Sequence, residues 1–593
     1  MTRILMAAAI AVLPLSAHAQ TFDPTEKTIA QLQAAMASGQ VTSQQLVSFY
    51  INRINQLDQN GPSVNAVIEL NPDALAIAKN ADTLRANGKV LGPLHGIPVL
   101  LKDNIDTGDK MQTTAGSFAL LGQPALQDST VAANLRAGGA VILGKTNLSE
   151  WANFRSFESI SGWSGRGGLT HNPYFIDRNA CGSSSGSGAS ASANFAAVSF
   201  GSETDGSIVC PGNVNNVVAI KPTVGLTSRA GVVPISHVQD TIGPHARTVA
   251  DAAAALSVIQ SRSSDGRDPA TAGVPLGWRN RFSRPKNVPS DYTKFLDPKG
   301  LKGKRIGITR VGLAGFGPPG FPAFVATPQP VLDAIEEAFQ ALTDAGATVI
   351  DLDANGASFT PASGEFGVLL YDFKNDLAAY FATRKGVPVA GGTLQTAIDF
   401  NNANAAQEMP YFNQDIFDLS NSLNTSDPNA PQDPNLFGAD AQGNSSYNIS
   451  LDLDQAAGVS MDDILARFKL DAVVSATDNP AWASDYIYGD HFLFGTSGLA
   501  AGPGYPIVQV PAGEIHGVPF GISFFGTAFS EGKLIGLASG YEAFRKARAN
   551  NLPQFLPTLP DQPNAPESPP AKPSSVVSRG ATVRKLDKMP KHL

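Results

Sequence analysis

Two serines and a lysine in this chain are spaced so that a serine could be activated without a histidine. Ser183 lies in the run Cys-Gly-Ser-Ser-Ser-Gly-Ser that begins at residue 181, and Ser207 follows in Glu-Thr-Asp-Gly-Ser-Ile, residues 203–208. Lys102 comes directly after the apolar run 97–101. Burial disfavours the charged form of a lysine, and a neutral lysine can accept a proton from a serine hydroxyl. The three residues could therefore carry out acyl transfer through a serine nucleophile.

The Gly/Ser-rich run has two other interpretations, and we disfavour both. It is typical of flexible linkers, but core-like residues 195–200 and 217–220 follow it. It also satisfies G-x-S-x-G, the nucleophile elbow of α/β-hydrolases. Ser184 would then be the nucleophile, and no strand is expected directly before it. The partners that this alternative would need are His491 or His516 and Asp471 or Asp478.

The motifs together resemble the amidase signature family, whose members hydrolyse amide bonds with a Ser–Ser–Lys triad. Further matching segments are 92–98, 144–150, 225–229, 504–506 and 519–521, so the resemblance extends over about residues 29–541. It implies that Ser207 is the nucleophile, that Ser183, on a cis peptide bond, relays its proton, and that Lys102 is the base. The implied oxyanion hole consists of the backbone N–H groups of Thr204, Asp205, Gly206 and Ser207. Neither a cofactor nor a metal is implied, and the sequence contains no H-E-x-x-H motif.

The elements that must position these residues alternate between strand-like and helix-like patterns, which indicates an α/β protein. The resemblance implies one large domain over residues 20–550, with a central mixed sheet and helices on both faces. Residues 95–101 are predicted to form a buried strand that ends at Lys102. Asp103 and Asn104 follow it and are expected to orient the lysine ammonium.

Three positions depart from the family pattern. The usual Gly-Gly before the nucleophile is Asp205-Gly206, the usual Arg after it is Val209, and the first Gly of the serine run is Cys181. With residues 151–155 and 161–164, this pattern is similar to bacterial peptide amidases, which remove the terminal amide of C-terminally amidated peptides. The alternatives are an amidase of other specificity, such as an aryl acylamidase or an enzyme for small amides, an amidotransferase subunit, and a catalytically inactive peptide-binding protein.

The two cysteines, Cys181 and Cys210, both lie beside the candidate serines. They could form a disulfide in an oxidising compartment, or they could be two small buried thiols. Because disulfide geometry is demanding, we favour two thiols.

The N-terminus is typical of an export signal. Arg3 precedes an apolar stretch over 4–15, and Ala17-His18-Ala19 fits a signal peptidase site that would make residues 1–19 a signal peptide. We therefore expect a periplasmic or secreted bacterial protein. No apolar run reaches 18 residues, so no stable membrane insertion is expected.

Composition limits the remaining functions. The 593 residues have a net charge of −8, which argues against a nucleic-acid-binding surface. The expected partner is a small-molecule or peptide amide, and we expect a monomer. Residues 420–455, rich in Asn, Asp, Pro and Ser, are predicted to be a surface insertion, as a plain loop more than a lid, and residues 551–593 a disordered basic tail.

Overall fold

The protein is built around one long mixed sheet. A computed structural model describes residues 22–273, 284–313 and 326–559, so the expected signal peptide lies outside the described residues. The strands in these ranges are β1 Val67–Leu70, β2 Pro98–Lys102, β3 Val141–Thr146, β4 Trp163–Ser164, β5 Gly168–Leu169, β6 Val198–Glu203, β7 Val218–Lys221, β8 Thr241–Ala246, β9 Arg305–Ile308, β10 Thr348–Asp351, β11 Ala472–Ala476, β12 Ile507–Ile515 and β13 Val518–Phe525. Eleven of them form one sheet in the order β1-β3-β2-β6-β8-β7-β12-β13-β11-β9-β10, and β4 pairs with β5.

Both faces of the central sheet are covered. Successive residues of a strand point to opposite faces, yet every residue of β2, β3, β6, β7, β8, β11 and β13 is buried. The helices in the described ranges are α1 Ile29–Ala37, α2 Ser43–Leu57, α3 Ala74–Ala86, α4 Thr130–Ala137, α5 Ser185–Ser192, α6 Val209–Val214, α7 Val249–Ile259, α8 Gln329–Asp344, α9 Glu365–Thr383, α10 Leu394–Ala403, α11 Ala405–Glu408, α12 Asp415–Ser422, α13 Pro434–Phe437, α14 Tyr447–Arg467, α15 Gly498–Ala501, α16 Glu531–Arg545 and α17 Ala547–Asn550. The prediction of a single α/β domain with a mixed sheet is confirmed.

The sheet is parallel where the candidate site lies. β2 is hydrogen-bonded to β3 on one side and to β6 on the other, and both pairs are parallel. Parallel strands place their carboxyl ends at the same edge, where α/β proteins commonly bind ligands. The residues that end β2 and β6 therefore meet at one edge.

Two peripheral segments differ from their expected form. Residues 420–455 are not a plain loop, because they include α13 and the start of α14, and Phe437 is fully buried there. Residues 551–559 are not a disordered tail, because the backbone N–H groups of Phe555 and Leu556 donate to the carbonyls of Pro173 and Tyr174. Apolar side chains within this proline-rich segment explain the difference: Phe555 packs against the main core. Residues 560–593 lie outside the described ranges.

Among the helices of the described residues, none combines the length and the apolar character that a membrane span requires.

Candidate active site

Lys102 and the segment that contains Ser207 come together because of the parallel pairing of β2 and β6. Lys102 is the last residue of β2, and β6 ends at Glu203, directly before the turn 204–207. Ser207 therefore lies between a strand and a short helix, since α6 begins at Val209. This strand–turn–helix arrangement exposes the turn at the carboxyl edge of the sheet.

Lys102 is completely buried and its amine contacts serines. Its Nζ donates to Ser183 Oγ at 2.7 Å, to Ser202 Oγ at 3.0 Å and to the Ser202 carbonyl at 3.2 Å. Burial lowers the pKa of Lys102 to about 7, although the negative charges of Asp240 and Glu203 oppose this shift. A large fraction of this lysine is therefore neutral at neutral pH and able to accept a proton.

Ser183 is held between the lysine and the cleft. The Gly182–Ser183 peptide bond is cis, as the resemblance implies. The Ser183 carbonyl accepts a hydrogen bond from the backbone N–H of Ser149 at 3.1 Å. A side chain at Gly182 would collide with Ser149, because a Cβ there would lie 2.1 Å from the Ser149 Oγ atom. Only glycine fits this position.

The turn before Ser207 offers free backbone donors. Gly206 has a φ of 78°, a left-handed conformation that favours glycine. In the part of the chain that the structure describes, the N–H groups of Asp205, Gly206 and Ser207 have no hydrogen-bond acceptor. The next two N–H groups, of residues 208 and 209, are occupied by Glu203 Oε2 at 2.6 and 2.9 Å. The unused donors are thus those nearest Ser207, and they can bind an oxyanion.

Asp205, the unusual residue of this turn, faces the cleft. Its carboxyl lies at the cleft lining, near Ser497 and Lys221. Desolvation by the surrounding protein raises the pKa of Asp205, while a hydrogen bond from Ser497 and the charge of Lys221 oppose the rise. A carboxyl that protonates more readily repels a developing oxyanion less, so this departure is compatible with catalysis.

The two cysteines form a disulfide, so our preference for two free thiols was wrong. The Cα atoms of Cys181 and Cys210 are 6.0 Å apart, and the sulfurs are bonded. The fold brings the residue before Gly182 next to the first turn of α6, a proximity of two loops that spacing alone does not reveal. The bond ties the Ser183 loop to the helix after Ser207, which gives a structural reason for Cys181 at a position where the family pattern has glycine.

The serines share a large cleft. Its volume is about 710 Å³, within the range of small-ligand sites, and Ser183, Ser207 and the disulfide all line it. One wall is formed by residues 152–161 and another by residues 478–498. The first wall contains part of the sequence pattern that is similar to peptide amidases. Residues 420–455, all of which the structure describes, do not contribute to the lining.

The expected orienting residues act differently from our prediction. Asp103 does not face the lysine: its Oδ2 accepts from the Thr114 hydroxyl and from Arg166 Nη1 at 3.3 Å. Asn104 acts indirectly, because its amide donates to Ser202 Oγ at 2.8 Å. Ser202 was not among the residues predicted from the sequence. The signal that could have identified Ser202 is its position in β6, the strand beside the one that ends at Lys102.

Ser184, the alternative nucleophile, has a structural role. No strand of the described chain leads directly into Gly182, and the Ser184 hydroxyl is fully buried and donates to the Ser202 carbonyl at 2.9 Å. His491, one of its possible partners, is exposed, and its Nε2 lies 3.3 Å from Asp485 Oδ2. The elbow arrangement is therefore not formed.

Comparison with known proteins agrees with this geometry. The model of the Amidase family matches residues 45–416. The chain therefore belongs to the amidase family, the amidase signature enzymes that hydrolyse amide bonds.

Individual relatives extend the match over most of the chain. The crystal structure of the peptide amidase of Stenotrophomonas maltophilia has 43% sequence identity and a TM-score of 0.75, over 90% of this chain and 99% of that one. A protein of Arabidopsis thaliana named "Probable amidase At4g34880" is 40% identical over 534 residues, 88% of this chain and 90% of the relative. A bacterial aryl acylamidase is similar in fold alone, with 23% identity, a TM-score of 0.64 and coverage of 87% and 96%.

Proposed function

We propose that this amidase removes the terminal amide from C-terminally amidated peptides, with Lys102, Ser183 and Ser207 as its triad. The observation that carries the proposal is the 2.7 Å hydrogen bond between the buried Lys102 amine and Ser183 Oγ, at the floor of the cleft that Ser207 lines. A depressed pKa at a buried amine that touches a serine is the arrangement that activates a hydroxyl.

The reaction begins with the attack of Ser207 Oγ on the amide carbonyl carbon. Ser183 takes the proton from Ser207 as it passes its own proton to the neutral Lys102, so the lysine becomes an ammonium. The tetrahedral intermediate carries a negative oxygen, which the N–H groups of the 204–207 turn bind. As the C–N bond breaks, the relay returns the proton to the nitrogen, and ammonia leaves from an acyl-enzyme.

Hydrolysis of the acyl-enzyme uses the same groups. Water loses a proton through Ser183 to Lys102 and attacks the ester carbonyl. The second tetrahedral intermediate collapses when the proton returns to Ser207 Oγ, which releases the peptide as a carboxylic acid. The free enzyme then has a neutral lysine again.

The peptide substrate is supported by similarity and by the shape of the cleft. The relative from Stenotrophomonas maltophilia is a peptide amidase, and 90% of this chain is covered by that likeness. A cleft of about 710 Å³ with two extended walls has room for more than a small aliphatic amide.

We also propose that the protein is exported. The N-terminal residues 1–19 have the pattern of a cleavable signal, and the Cys181–Cys210 disulfide suits an oxidising compartment. N-terminal sequencing of the protein from a cell fraction outside the cytoplasm should begin at Gln20. An intact Met1 in a cytoplasmic fraction would contradict export.

The substrate class is tested by product release from the purified protein, which is ammonia from the two primary amides and aniline from the anilide. An amidated dipeptide, a simple aliphatic amide and an anilide are offered to the wild type and to Ser207→Ala. We expect turnover of the peptide amide to exceed that of the other two substrates, and to fall by several orders of magnitude in the variant. Turnover of only the anilide or the aliphatic amide would leave an amidase of other specificity, and full activity of Ser207→Ala would refute the nucleophile.

A further inference from the structure

The mouth of the cleft carries large apolar side chains that the core does not cover. Phe157 is 63% exposed and Tyr488 is 83% exposed, and both line the cleft that contains Ser207. They belong to the two lining segments 152–161 and 478–498. Exposed aromatic rings beside a binding cleft are unfavourable in water and gain free energy when a ligand covers them.

The wall that carries Tyr488 is held in place by polar contacts. Asp485 Oδ1 accepts from the backbone N–H groups of Ile487 and Tyr488 at 2.8 and 3.0 Å. Asp490 accepts from the backbone N–H of Ser161, in the other lining segment, at 3.1 Å. Tyr488 therefore belongs to an ordered turn, and the two lining segments are joined by a hydrogen bond.

The ring of Phe157 is positioned before any ligand binds. Phe157 contacts the ring of Phe366, with centroids 5.4 Å apart, and its backbone N–H donates to Asp415. Rings that are fixed in advance lose little conformational freedom on binding, which favours recognition.

We propose that Phe157 and Tyr488 form a subsite for an apolar or aromatic side chain of a residue that precedes the amidated one. This inference rests on the proposed function, because it assumes that the acyl part of the substrate is a peptide. When the terminal amide reaches Ser207 at the floor, the remainder of the peptide must leave through the mouth, where the two rings lie. The enzyme then prefers amidated peptides with an apolar residue before the terminal one.

The neighbouring Ile487 provides a matched control. It is 84% exposed, it belongs to the same turn, and it is not part of the cleft lining. Ile487→Ser and Tyr488→Ser remove a similarly exposed apolar side chain from adjacent positions. Of the two side chains, only that of Tyr488 lines the cleft.

The test compares glycyl-leucinamide with phenylalanyl-leucinamide, which differ in the side chain before the amidated residue. The readout is the ratio of their kcat/KM values in the wild type and in Tyr488→Ser, Phe157→Ser and Ile487→Ser. We expect the wild type to favour the phenylalanyl substrate about tenfold, the effect of burying roughly 60 Å² of apolar surface. The ratio should fall towards one in Tyr488→Ser and Phe157→Ser, and stay at the wild-type value in Ile487→Ser.

Failure of the subsite and failure of the proposed function give different results. If the wild type hydrolyses both dipeptide amides but the ratio is unchanged in Tyr488→Ser and Phe157→Ser, the subsite is refuted and the peptide amidase remains. An equal change in Ile487→Ser would also refute it, because the effect would not depend on the cleft. If neither dipeptide amide is hydrolysed while an anilide is, both proposals are overturned.

Discussion

The protonation of Lys102 should control the rate of this enzyme. Only the neutral amine can accept the proton that Ser183 relays, and burial lowers its pKa to about 7. The limiting kcat/KM should therefore rise with pH and level off above about pH 8. At pH 5, about two units below the pKa, roughly 1% of the lysine is neutral, so the rate should be about 100-fold below the plateau. Initial rates of ammonia release between pH 5 and 9 measure this profile.

The same lysine should reduce the stability of the fold. Its pKa falls from 10.5 to about 7, about 3.5 pH units or roughly 5 kcal/mol. Because the unfolded chain keeps the higher pKa, this cost is fully present below about pH 7 and disappears as the pH rises to 10.5. Lys102→Met removes the cost but loses three hydrogen bonds of about 1 kcal/mol each. We expect the variant to be inactive and about 2 kcal/mol more stable at pH 6, measured by denaturant unfolding.

Lys145 is a control on the adjacent strand β3. It is also fully buried with a lowered pKa, but Asp103 and Asp106 lie near it, and its Nζ donates to the Ile105 carbonyl. Lys145→Met should destabilise the protein, because it leaves buried carboxyl groups without their compensating charge. Lys145→Met should leave the pH dependence of kcat/KM unchanged. A rate that does not change between pH 6 and 8, or a Lys102→Met variant with wild-type activity, would refute the assigned role of Lys102.

Three further outcomes follow from contacts around the site. Replacing Cys181 and Cys210 together by serine should lower the unfolding free energy by about 3–4 kcal/mol, because the disulfide closes a loop of 29 residues. The reduced wild-type protein is the comparison. Asp372, 3.6 Å away, and Asp376, 2.9 Å away, raise the pKa of His237 to about 9, so the stabilisation from these contacts is fully present below pH 6.5 and is lost as pH rises through 9. Melting temperatures at pH 6 and 10 should thus differ more in the wild type than in His237→Gln. Ser202→Ala should lower kcat about tenfold or more at an unchanged KM. It should also move the pH profile to lower pH, because the protonated lysine donates the stronger hydrogen bond to Ser202 and loses more when that acceptor is removed. Rates like those of the wild type would show that Ser202 does not position the lysine.

The sequence predicts the site where local patterns carry the information. The apolar run before Lys102 indicates a buried strand, and β2 ends at that lysine. The segments that contain Ser183 and Ser207 are recognisable because each needs a glycine beside its serine. Gly206 has a left-handed backbone conformation, and a Cβ at Gly182 would lie 2.1 Å from Ser149 Oγ.

Contacts between distant segments could not be predicted in the same way. The disulfide depends on how two loops face each other, and two free thiols were predicted in its place because no local pattern reports that geometry. The role of Ser202 depends on which strand lies beside β2, which is a property of the sheet order. The aromatic rings at the mouth come from segments about 330 residues apart in the chain, and neither segment carries a motif that points to the other.

A serine can be activated here without a histidine because the nearest carboxylates are already engaged. Glu203 accepts from two backbone N–H groups at the start of α6, and Asp240 accepts from Thr204 Oγ1 and from the N–H groups of Ile235 and Ser236. Neither forms an ion pair with Lys102 in the described residues. A direct partner would hold the lysine protonated and raise its pKa, whereas serine hydroxyls only orient it. Burial therefore lowers the pKa of Lys102, and hydrogen-bond donors engage the neighbouring carboxylates, so that the lysine can act as a base near neutral pH.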